Sequence, residues 1–457
     1  MEWIDDRSAP LLTDLYELTM IASYVAHGMT APATFDLYVR ELPPQRNFLI
    51  ACGLEQALHY LEHLRFDDQA VAKVERLGIF DRRFLEYLAR FRFSGEVWAV
   101  EEGEAVFAGE PLLRITAPLP EGQLVESYLL NCITFQTMIA SKAARIALAC
   151  RGRRFADFSL RRDHGPTAAL LVARAAYVGG ASSTSNVLAA AQFRIPPSGT
   201  MGHSYVMAFA REIDAFRQFA NDYPDRAILL IDTYDIASGA RRAAEVAREL
   251  AARGHRLRGV RIDSGDLAVE ARKAKAILEG EGAGDVPILL SGDLDEWRID
   301  QLVRQNVPAE AFGVGTQLGT SADAPSLGGV YKLVDAGAPR MKLSHGKLTL
   351  PGRKQVYRFE EGGRISGDVI GLEDEAISGA RGLLVPVMRK GRPLRGAVNP
   401  LHALGEARER CARALQALPP GLRELSPAPT YPVHWSRRLQ QLVEQTRSEL
   451  ATDGPLS

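Results

Sequence analysis

The stretch Ala-Ile-Leu-Leu-Ile-Asp-Thr-Tyr-Asp at residues 227–235 decides the fold, because a continuous apolar run passes directly into polar residues. The same pattern recurs at 258–266 (Arg-Gly-Val-Arg-Ile-Asp-Ser-Gly-Asp) and at 287–293 (Pro-Ile-Leu-Leu-Ser-Gly-Asp). Short apolar runs of this kind are typical of strands that are buried on both faces of a parallel sheet. The sequence therefore predicts a sheet whose strands each end in a polar loop.

Helical segments separate these strands. Helices are expected at 165–178, 203–220, 238–253, 267–280 and 295–306, and further strands at 153–159 and 311–314. The strand and helix pairs repeat at a spacing of roughly 25–30 residues, which is typical of βα units. The chain has four or more such units, which is more than one dinucleotide-binding half-domain contains. The pattern therefore favours a (β/α) barrel.

The flanking regions have a different pattern of short strands, turns and helices. Before the barrel, helices are expected at 11–30, 53–65, 67–90 and 121–150, and strands at 34–40 and between 94 and 117. After it, strands are expected at 331–334, 341–343, 347–350 and 355–359, and helices at 402–418 and 435–451. We therefore predict an α+β N-terminal domain at 1–130 that is completed by strands from about 331–400, a barrel at 131–330 and a C-terminal helical extension at 401–457.

Composition and charge exclude several classes of protein. Lys plus Arg number 55 and Asp plus Glu number 56, so the net charge is −1, and no global positive field exists for nucleic acid or for an acidic membrane surface. The four cysteines, at 52, 132, 150 and 411, lie far apart and form no zinc knuckle. No apolar run is long enough for a membrane helix, and the N-terminus has no signal-peptide core. We expect a cytoplasmic protein with reduced thiols.

Polar residues follow each predicted barrel strand, and the carboxyl ends of barrel strands carry active sites. Buried carboxylates at neighbouring strand ends need cations or hydrogen bonds, which arginine side chains can supply. The hard oxygens of Asp263 and Asp266 also suit Mg²⁺, although both residues could instead cap the next helix. The candidate residues at this rim are Asp157, Phe158, Ser159, Arg161, Arg162, Asp232, Thr233, Tyr234, Asp235, Arg261, Asp263, Ser264, Gly265, Asp266, Ser291, Gly292, Asp293, Gly313, Gly315 and Thr316.

Three glycines at the strand ends favour a phosphorylated substrate. Gly292, Gly313 and Gly315 let backbone N–H groups approach an anion closely, and barrels often bind phosphate after their last two strands. A plain turn at the end of a strand explains the same glycines without any ligand. Both interpretations stay open at this point.

Two further residues also have two interpretations each. His203 lies in a small-residue loop before a helix, at 197–204, where it is accessible for reaction and senses the helix dipole. The alternative is a surface or capping histidine. Tyr16 has the helical periodicity of a core residue, and contact with a ligand is the alternative. The spacing of the nine histidines predicts no metal cluster.

Ten stretches of sequence, in one order and over nearly the whole chain, resemble the nicotinate phosphoribosyltransferase family. They are Leu-Thr-Asp-Leu-Tyr-Glu-Leu-Thr-Met at 12–20, Arg-Asn-Phe at 46–48, Asp-Phe-Ser-Leu-Arg-Arg at 157–162, Thr-Ser-Asn-Val-Leu-Ala at 184–189, Gly-Thr-Met-Gly-His-Ser at 199–204, Ile-Asp-Thr-Tyr-Asp at 231–235, Arg-Ile-Asp-Ser-Gly-Asp-Leu at 261–267, Gly-Val-Gly-Thr at 313–316, Ser-Leu-Gly-Gly-Val-Tyr-Lys at 326–332 and Leu-Pro-Gly-Arg-Lys-Gln-Val at 350–356. The resemblance implies an α/β fold: an irregular (β/α) barrel of the type II phosphoribosyltransferase kind, with a discontinuous α+β N-terminal domain and C-terminal helices.

The resemblance also implies a reaction. Nicotinate and 5-phosphoribosyl 1-diphosphate would give nicotinate mononucleotide and diphosphate, a salvage step of NAD biosynthesis. ATP hydrolysis would be coupled to this glycosyl transfer through a phosphohistidine at His203, as in a ligase, and Mg²⁺ would hold the leaving diphosphate. Asp232 and Asp263 would stabilise the positive charge that develops on the ribose. Because family members complete each site across a dimer, a homodimer with shared active sites is expected.

Binding roles follow from the same resemblance. Tyr16 and Phe158 would stack on the pyridine ring, while Arg261 and Thr200 bind the nicotinate end. Arg161 would lie nearby, on the ring or on the ribose phosphate. The phosphoribosyl diphosphate would be bound by Arg162, Ser264, Gly265, Gly292, Gly313, Gly315 and Thr316. The sequence departs from the family at Ser159, where glycine is frequent.

Several related functions remain as alternatives. Nicotinamide phosphoribosyltransferases carry an acidic residue in the segment matching 184–186, where this chain has Ser185, so nicotinate is favoured. Quinolinate phosphoribosyltransferases are much shorter and lack the ATP-linked histidine. A non-catalytic nucleotide-sensing homologue predicts loss of His203 or of the 263–266 carboxylates, and both are retained. A phosphate-binding barrel with unrelated chemistry does not account for the matches outside the barrel.

Overall fold

The computed structural model describes residues 5–344, 348–394 and 400–452, with side chains from 403 to 450 in the last range. The chain divides into two compact units. The discontinuous unit is made of 1–138 and 326–457, and the central unit is made of 139–325. The domain limits that the sequence suggested, at 130, 330 and 400, are not the limits of these two units and remain a prediction.

The helices and strands follow one another along the chain as follows. The first part contains α1 (Leu15–Ala26), β1 (Pro32–Val39), β2 (Leu49–Ile50), α2 (Leu54–His63), α3 (Asp68–Glu75), α4 (Arg82–Arg90), β3 (Glu96–Val100), β4 (Ala105–Val106), β5 (Pro111–Pro118), α5 (Leu119–Leu124) and α6 (Glu126–Cys150). The central part contains β6 (Arg154–Asp157), a 3-10 turn (Leu160–Arg162), α7 (Pro166–Val178), β7 (Ser183–Thr184), α8 (Val187–Phe193), α9 (His203–Met207), α10 (Glu212–Asp222), β8 (Ile228–Leu230), α11 (Ile236–Ala252), β9 (Gly259–Ile262), α12 (Leu267–Gly280), β10 (Ile288–Leu290), α13 (Glu296–Arg304), β11 (Ala311–Val314) and α14 (Thr316–Gly319). The last part contains β12 (Gly329–Asp335), β13 (Lys354–Glu361), β14 (Arg364–Leu372), β15 (Ala380–Gly382), β16 (Leu384–Arg389), β17 (Arg392–Pro393), α15 (Pro400–Ala417), β18 (Val433–Trp435) and α16 (Arg437–Thr452).

The central unit is built on a six-stranded sheet with the order β7-β6-β11-β10-β9-β8. Every pair of neighbouring strands in this sheet is parallel. The apolar runs quoted above form its middle and edge, with Leu229, Val260 and Leu290 almost completely buried. Because all strands run in one direction, their carboxyl ends lie along one edge of the sheet, as the sequence pattern predicts. The sheet is curved into a half-barrel, which confirms the predicted barrel-type α/β fold.

An aspartate begins each helix that follows strands β8, β9 and β10. Asp235 accepts a hydrogen bond from Ser238 N at 2.8 Å, and Asp266 accepts from Ala268 N at 3.0 Å. Asp295 caps α13 in the same manner. A side-chain oxygen at this position pairs with an N–H group that the helix leaves unbonded, so these caps fix where each helix starts and where each strand-end loop stops.

In the discontinuous unit, strands from both ends of the sequence share one antiparallel sheet, ordered β12-β1-β5-β3-β16-β17. Strand β12 pairs with β1, and β16 pairs with β3. A second sheet has the order β15-β13-β14-β18. The return of the strands after residue 330 to the first part of the chain confirms the predicted discontinuous α+β domain.

Several of the predicted elements differ in the structure; the helix expected at 121–150, for example, is divided into α5 and α6. The helix expected at 203–220 is split into α9 and α10, because Arg211 has extended backbone angles. The helix expected at 67–90 is split into α3 and α4 near Gly78, whose φ of +69° ends helical geometry. Residues 341–343 form no strand, although Lys342 N donates to Thr349 Oγ1 at 2.8 Å and Lys342 O accepts from Thr349 N at 3.4 Å. Of the strand expected at 347–350, residue 347 lies outside the described residues, and 348–350 form no strand.

Among the residues that the structure describes, no helix is long and apolar enough to cross a membrane.

Candidate active site

Three neighbouring strands of the central sheet bring their polar ends together. Asp263 N, after β9, donates a hydrogen bond to Asp232 Oδ2, after β8, at 2.8 Å. Ser264 Oγ donates to the same oxygen at 2.7 Å. On the other side, Ser291 Oγ, after β10, donates to Asp263 Oδ1 at 2.6 Å. The strand-end residues predicted from the sequence therefore form one connected cluster.

The second carboxylate oxygen of Asp232 has a different environment. Oδ1 is buried and accepts no hydrogen bond from the described part of the chain. A buried anionic oxygen without a partner carries a desolvation cost, which a hydroxyl group or a cation of a ligand would remove. Asp232 thus holds the loop after β9 with one oxygen and leaves the other for a ligand.

Arg261 connects this cluster to two other loops. Its side chain is 13% exposed and lies in strand β9, with Nη2 3.0 Å from Asp263 Oδ1. Nε donates to Ser291 Oγ at 2.8 Å, and Nη1 donates to Thr200 Oγ1 at 2.9 Å. A guanidinium has five N–H donors, so these three contacts fix the side chain and leave donors for an anionic group.

Asp263 is held in its charged form. Burial raises the pKa of this carboxyl, but the Ser291 hydroxyl and the nearby Arg261 and His203 outweigh burial and lower the pKa below its ordinary value. The carboxylate therefore stays ionised at neutral pH. A fixed negative charge at this place favours a positively charged transition state.

Phe158 lies against the backbone of the next strand. A Cβ atom at Gly313 would come within 2.5 Å of Phe158 Cδ2 and Cε2, so only glycine leaves room for the ring. Phe158 N also donates to Val314 O at 2.8 Å, and the Arg261 guanidinium carbon lies 5.7 Å from the centre of the ring. The contacts of Gly313 therefore give it a packing role, and its predicted phosphate role stays a prediction.

His203 is the first residue of α9 and is partly buried. Its Nδ1 atom lies 3.1 Å from Thr233 Oγ1, in the loop after β8. This contact orients the ring and leaves Nε2 as the second ring nitrogen for a ligand. No role was predicted for Thr233, although its place directly after Asp232 at a strand end put it among the candidate residues.

A cavity of about 480 Å³ lies beside the loops after β9 and β10. Its lining is Asp263, Ser264, Gly265, Leu267, Gly292, Asp293, Asp295 and Arg298. Gly292 has a φ of +93°, and a Cβ atom there would lie 2.2 Å from Asp263 O, so the two loops approach each other only because this residue is glycine. Three residues that the sequence assigned to phosphate binding, Ser264, Gly265 and Gly292, therefore share one cavity.

Asp157 and Ser159, which the sequence placed at the rim, are instead buried and bonded to each other. Asp157 Oδ1 accepts from Ser159 N at 3.0 Å and from Ser159 Oγ at 2.6 Å, while Oδ2 accepts from Thr184 Oγ1 at 2.7 Å. Ser159 Oγ also lies 3.0 Å from Asp163 Oδ2. Burial raises the pKa of Asp157. These contacts join the loop after β6 to strand β7. Asp157 therefore has a structural role, and it does not line the cavity described above.

The remaining predicted residues lie in more open places. Arg161 and Arg162 are exposed on the 3-10 turn after β6, and Thr316 is the first residue of α14 after β11. Tyr16 lies on α1 of the discontinuous unit and is 49% exposed, so the expectation of a core residue is wrong. The helix α1 buries Glu17, Leu18 and Ile21 instead.

The residues present set limits on how Mg²⁺ would bind. No group of three or more side chains suited to a metal ion occurs in the described ranges. Asp263 Oδ1 is engaged by Ser291 and Arg261, and Asp266 Oδ1 caps α12. Because Mg²⁺ is commonly held by one or two carboxylates together with substrate phosphates and water, the unpaired Asp232 Oδ1 fits an ion that arrives with a phosphorylated ligand.

Comparison with known proteins identifies the family. The model of the nicotinate phosphoribosyltransferase (NAPRTase) N-terminal domain matches residues 11–134, and that of the NAPRTase family matches residues 153–333. A nicotinate phosphoribosyltransferase of Mycobacterium tuberculosis is 45% identical over 433 residues, which cover 94% of this chain and 92% of that protein. The chain belongs to the nicotinate phosphoribosyltransferase family. A further member, from Bacillus subtilis, is 40% identical over 384 residues, which cover 82% of this chain and 78% of that protein.

Solved structures agree with this family membership. The crystal structure of human nicotinic acid phosphoribosyltransferase superimposes with a TM-score of 0.85 at 28% identity and covers 95% of this chain and 99% of that chain. A nicotinate-nucleotide pyrophosphorylase from Pyrococcus furiosus shares the fold, with a TM-score of 0.74 at 23% identity over 91% of this chain and 98% of that chain. The type II phosphoribosyltransferase fold inferred from the sequence motifs is confirmed.

Proposed function

We propose that this protein is a nicotinate phosphoribosyltransferase, which forms nicotinate mononucleotide and diphosphate from nicotinate and 5-phosphoribosyl 1-diphosphate. The observation that carries the proposal is the position of Arg261 between Thr200, Ser291 and Asp263, next to the ring of Phe158. A planar cation beside an aromatic face suits a flat ring with a carboxylate. The reaction would supply a precursor of NAD from free nicotinate.

Nicotinate binding would use two kinds of contact. The carboxylate accepts charge-assisted hydrogen bonds from Arg261, with Thr200 holding the guanidinium in position. The pyridine ring stacks on Phe158, and Tyr16 covers its other face in the dimer that we propose. An amide in place of the carboxylate loses the ionic part of these bonds, so nicotinamide binds less well.

The glycosyl transfer breaks the bond between ribose C1 and diphosphate and forms a bond between C1 and the pyridine nitrogen. Positive charge develops on the ribose as the diphosphate departs. Asp263, whose pKa is lowered, and Asp232 supply fixed negative charge near that position. Ser264, Gly265 and Gly292 line the cavity that we assign to the phosphate groups.

A bound Mg²⁺ ion would neutralise charge on the departing diphosphate. Asp232 is the residue we assign to hold it, since its Oδ1 oxygen is unpaired among the described residues. Asp263 and Asp266, the ligands predicted from the sequence, remain a second assignment. In either case, the chain's own part is to hold the phosphoribosyl group and to keep Asp263 ionised.

ATP coupling is the second part of the proposal. In the tautomer that carries its hydrogen on Nδ1, His203 donates a hydrogen bond to Thr233 Oγ1, and the lone pair of Nε2 is free to attack the γ-phosphorus of ATP. A bond forms between Nε2 and phosphorus, ADP leaves, and water later releases phosphate and restores the imidazole. We assign this phosphohistidine to His203, and a homodimer and a cytoplasmic location belong to the same proposal.

Product formation tests the proposed reaction directly. Purified protein is incubated with phosphoribosyl diphosphate and either nicotinate or nicotinamide, with and without ATP, and mononucleotides are separated by chromatography. We expect nicotinate to be preferred by about 100-fold in kcat/KM, because the ionic hydrogen bonds are lost with the amide. Absence of nicotinate mononucleotide in the presence of ATP would disprove the proposal, and equal use of nicotinamide would favour the nicotinamide enzyme.

His203→Ala is expected to abolish the stimulation by ATP, so that the rate with ATP falls to the rate without it. The reason is that alanine has no nitrogen to accept the phosphoryl group. ATP hydrolysis and product formation are measured on the same samples. His255→Ala is the matched control, since His255 pairs with Asp225 at the surface of the same unit. Full ATP stimulation in His203→Ala would contradict the phosphohistidine role.

Gly313→Ala is expected to raise the KM for nicotinate by up to about tenfold, because the added Cβ displaces the stacking ring of Phe158. The KM for phosphoribosyl diphosphate changes less. Steady-state kinetics with each substrate varied in turn measure both values. Gly280→Ala is the control, because a Cβ atom at Gly280 has no neighbour within 4 Å. An unchanged KM for nicotinate would show that the ring of Phe158 does not bind this substrate.

A further inference from the structure

The hydroxyl of Ser159 lies between two carboxyl groups. Ser159 is completely buried, and its Oγ atom is 2.6 Å from Asp157 Oδ1 and 3.0 Å from Asp163 Oδ2. Asp157 is fixed by further bonds from Ser159 N and Thr184 Oγ1. Asp163 is different, because its second oxygen, Oδ1, is buried without a partner among the described residues.

Ser159 has one hydroxyl hydrogen for two carboxyl groups, so the protonation of Asp163 decides whether both contacts are hydrogen bonds. A serine hydroxyl has one hydrogen, so it donates to one acceptor at a time. The shorter contact assigns that hydrogen to Asp157. The contact between Ser159 and Asp163 is then a hydrogen bond only when Asp163 carries a proton of its own. Burial and then the charge of Asp157 raise the pKa of Asp163 to about 6, and they outweigh the Ser159 hydrogen bond and the nearby His164, which lower it.

The two residues enclose the arginine turn, the 3-10 segment Leu160–Arg162, whose two arginines are exposed. Arg162 N donates to Ser159 O at 2.7 Å and closes the turn. The pair also packs tightly on α14, because a Cβ atom at Gly319 would lie 1.8 Å from Asp163 Oδ1 and 2.6 Å from Ser159 Cβ. Ser159 and Asp163 therefore border the arginine turn on its two sides and pack against α14.

We propose that Ser159 and Asp163 form a clasp, closed by a hydrogen bond from the protonated Asp163 carboxyl to Ser159 Oγ, that positions Arg161 and Arg162 for the phosphate groups of the substrate. Asp163 is thus a positioning residue, acting through the arginine turn without touching the substrate. The inference rests on the proposed function, because it takes phosphoribosyl diphosphate as the ligand of these arginines.

The charges around the clasp determine its dependence on pH. Asp163 faces Asp157 of β6 and lies next to His164, while the arginine turn carries Arg161 and Arg162. Helix α7 carries Arg174 and Tyr177, and α14 has no titratable side chain. Because the pKa of Asp163 is raised in the folded protein, the clasp is complete at low pH and is lost as the pH rises through about 6. Above that pH, two negative carboxylates face one hydroxyl.

The test compares Asp163→Asn with the unmodified protein. The asparagine amide donates to Ser159 Oγ at every pH, so it keeps the clasp closed. The Kd of phosphoribosyl diphosphate is measured by calorimetry with Mg²⁺, without nicotinate or ATP. We expect the Kd of the unmodified protein divided by that of Asp163→Asn to rise from near one at pH 5 to about fivefold at pH 8. The ratio cancels the ionisation of the ligand itself.

Ser159→Ala removes the shared hydroxyl and is expected to weaken binding about fivefold at pH 5, where the clasp is otherwise complete. Steady-state kinetics should place this effect in the KM for phosphoribosyl diphosphate and not in the KM for nicotinate. Ser182→Ala is the matched control, since Ser182 Oγ bonds only the backbone oxygen Phe155 O among the contacts described, outside the clasp. Thermal melting of each variant verifies that it is folded.

Two results would overturn the clasp while leaving the proposed function intact. One is a Kd ratio that does not change with pH, and the other is unchanged binding by Ser159→Ala at pH 5. A third result, no binding of phosphoribosyl diphosphate to the unmodified protein, would overturn the clasp and the proposed function together.

Discussion

Arg261→Ala is expected to lower kcat/KM for nicotinate by about 10³-fold, a loss of roughly 4 kcal/mol in transition-state stabilisation. The substitution removes the cation that would pair with the nicotinate carboxylate. It also leaves Asp263 without the ion pair at 3.0 Å and releases Thr200 and Ser291. Initial rates with nicotinate at several concentrations measure the effect.

Two control variants separate charge from geometry at this position. Arg261→Lys keeps the positive charge but cannot bond Thr200, Ser291 and a carboxylate together, so it should recover only part of the activity. Arg258→Ala removes an exposed arginine just before the same strand and should have kinetics like those of the unmodified protein. If Arg261→Ala kept its preference for nicotinate over nicotinamide, the binding role of Arg261 would be wrong.

Glu296→Ala is expected to lower the stability of the central unit by about 3–5 kcal/mol, because it leaves two buried cations without their common partner. Glu296, at the start of α13, lies 2.5 Å from Lys142 Nζ and 3.0 Å from Arg145 Nε. All three side chains are at most 1% exposed. Asp323, whose Oδ1 lies 2.9 Å from Lys142 Nζ, remains as a partner of Lys142 but does not replace the ion pair of Glu296 with Arg145. Thermal melting should show that the Tm of Glu296→Ala is about 10 °C lower than that of the unmodified protein.

Glu279→Ala provides the comparison for this loss of stability. Glu279 forms an exposed pair with Lys275 at 3.5 Å in the same unit, and such a pair contributes less than about 1 kcal/mol. The two variants therefore remove the same kind of side chain from a buried and from an exposed place. Equal Tm values for the two variants would show that the buried pairs contribute no more than the exposed one.

The sequence was most informative where one short segment contains all the determinants of an element. The apolar run at 227–231 predicts β8, and Asp266, which the sequence offered as a helix cap, begins α12. Both signals act locally, through burial of apolar side chains and through hydrogen bonds to nearby N–H groups. The order of these signals was enough to predict a barrel-type α/β fold.

The sequence was least informative about which side chains meet. The periodicity of α1 favoured a buried Tyr16, but packing buries Glu17 and leaves Tyr16 half exposed. Periodicity gives the faces of a helix, whereas the partner surface decides which face is covered. The role of Thr233 was not predicted for a similar reason, since it depends on a contact with His203, 30 residues away.

The amino-acid sequence by itself determined the order of strands and helices, the strand-end carboxylates Asp232 and Asp263, and the family motifs around His203 and Arg261. These features depend on residues that are close along the chain or on the identity of single residues. Only the tertiary structure decided that Arg261 joins Thr200 to Ser291, that Gly313 makes room for Phe158 and that Ser159 bridges two carboxyl groups. The reason is physical: hydrogen bonds and close packing act over about 3–4 Å, and only the folded sheet brings the ends of its strands within that distance.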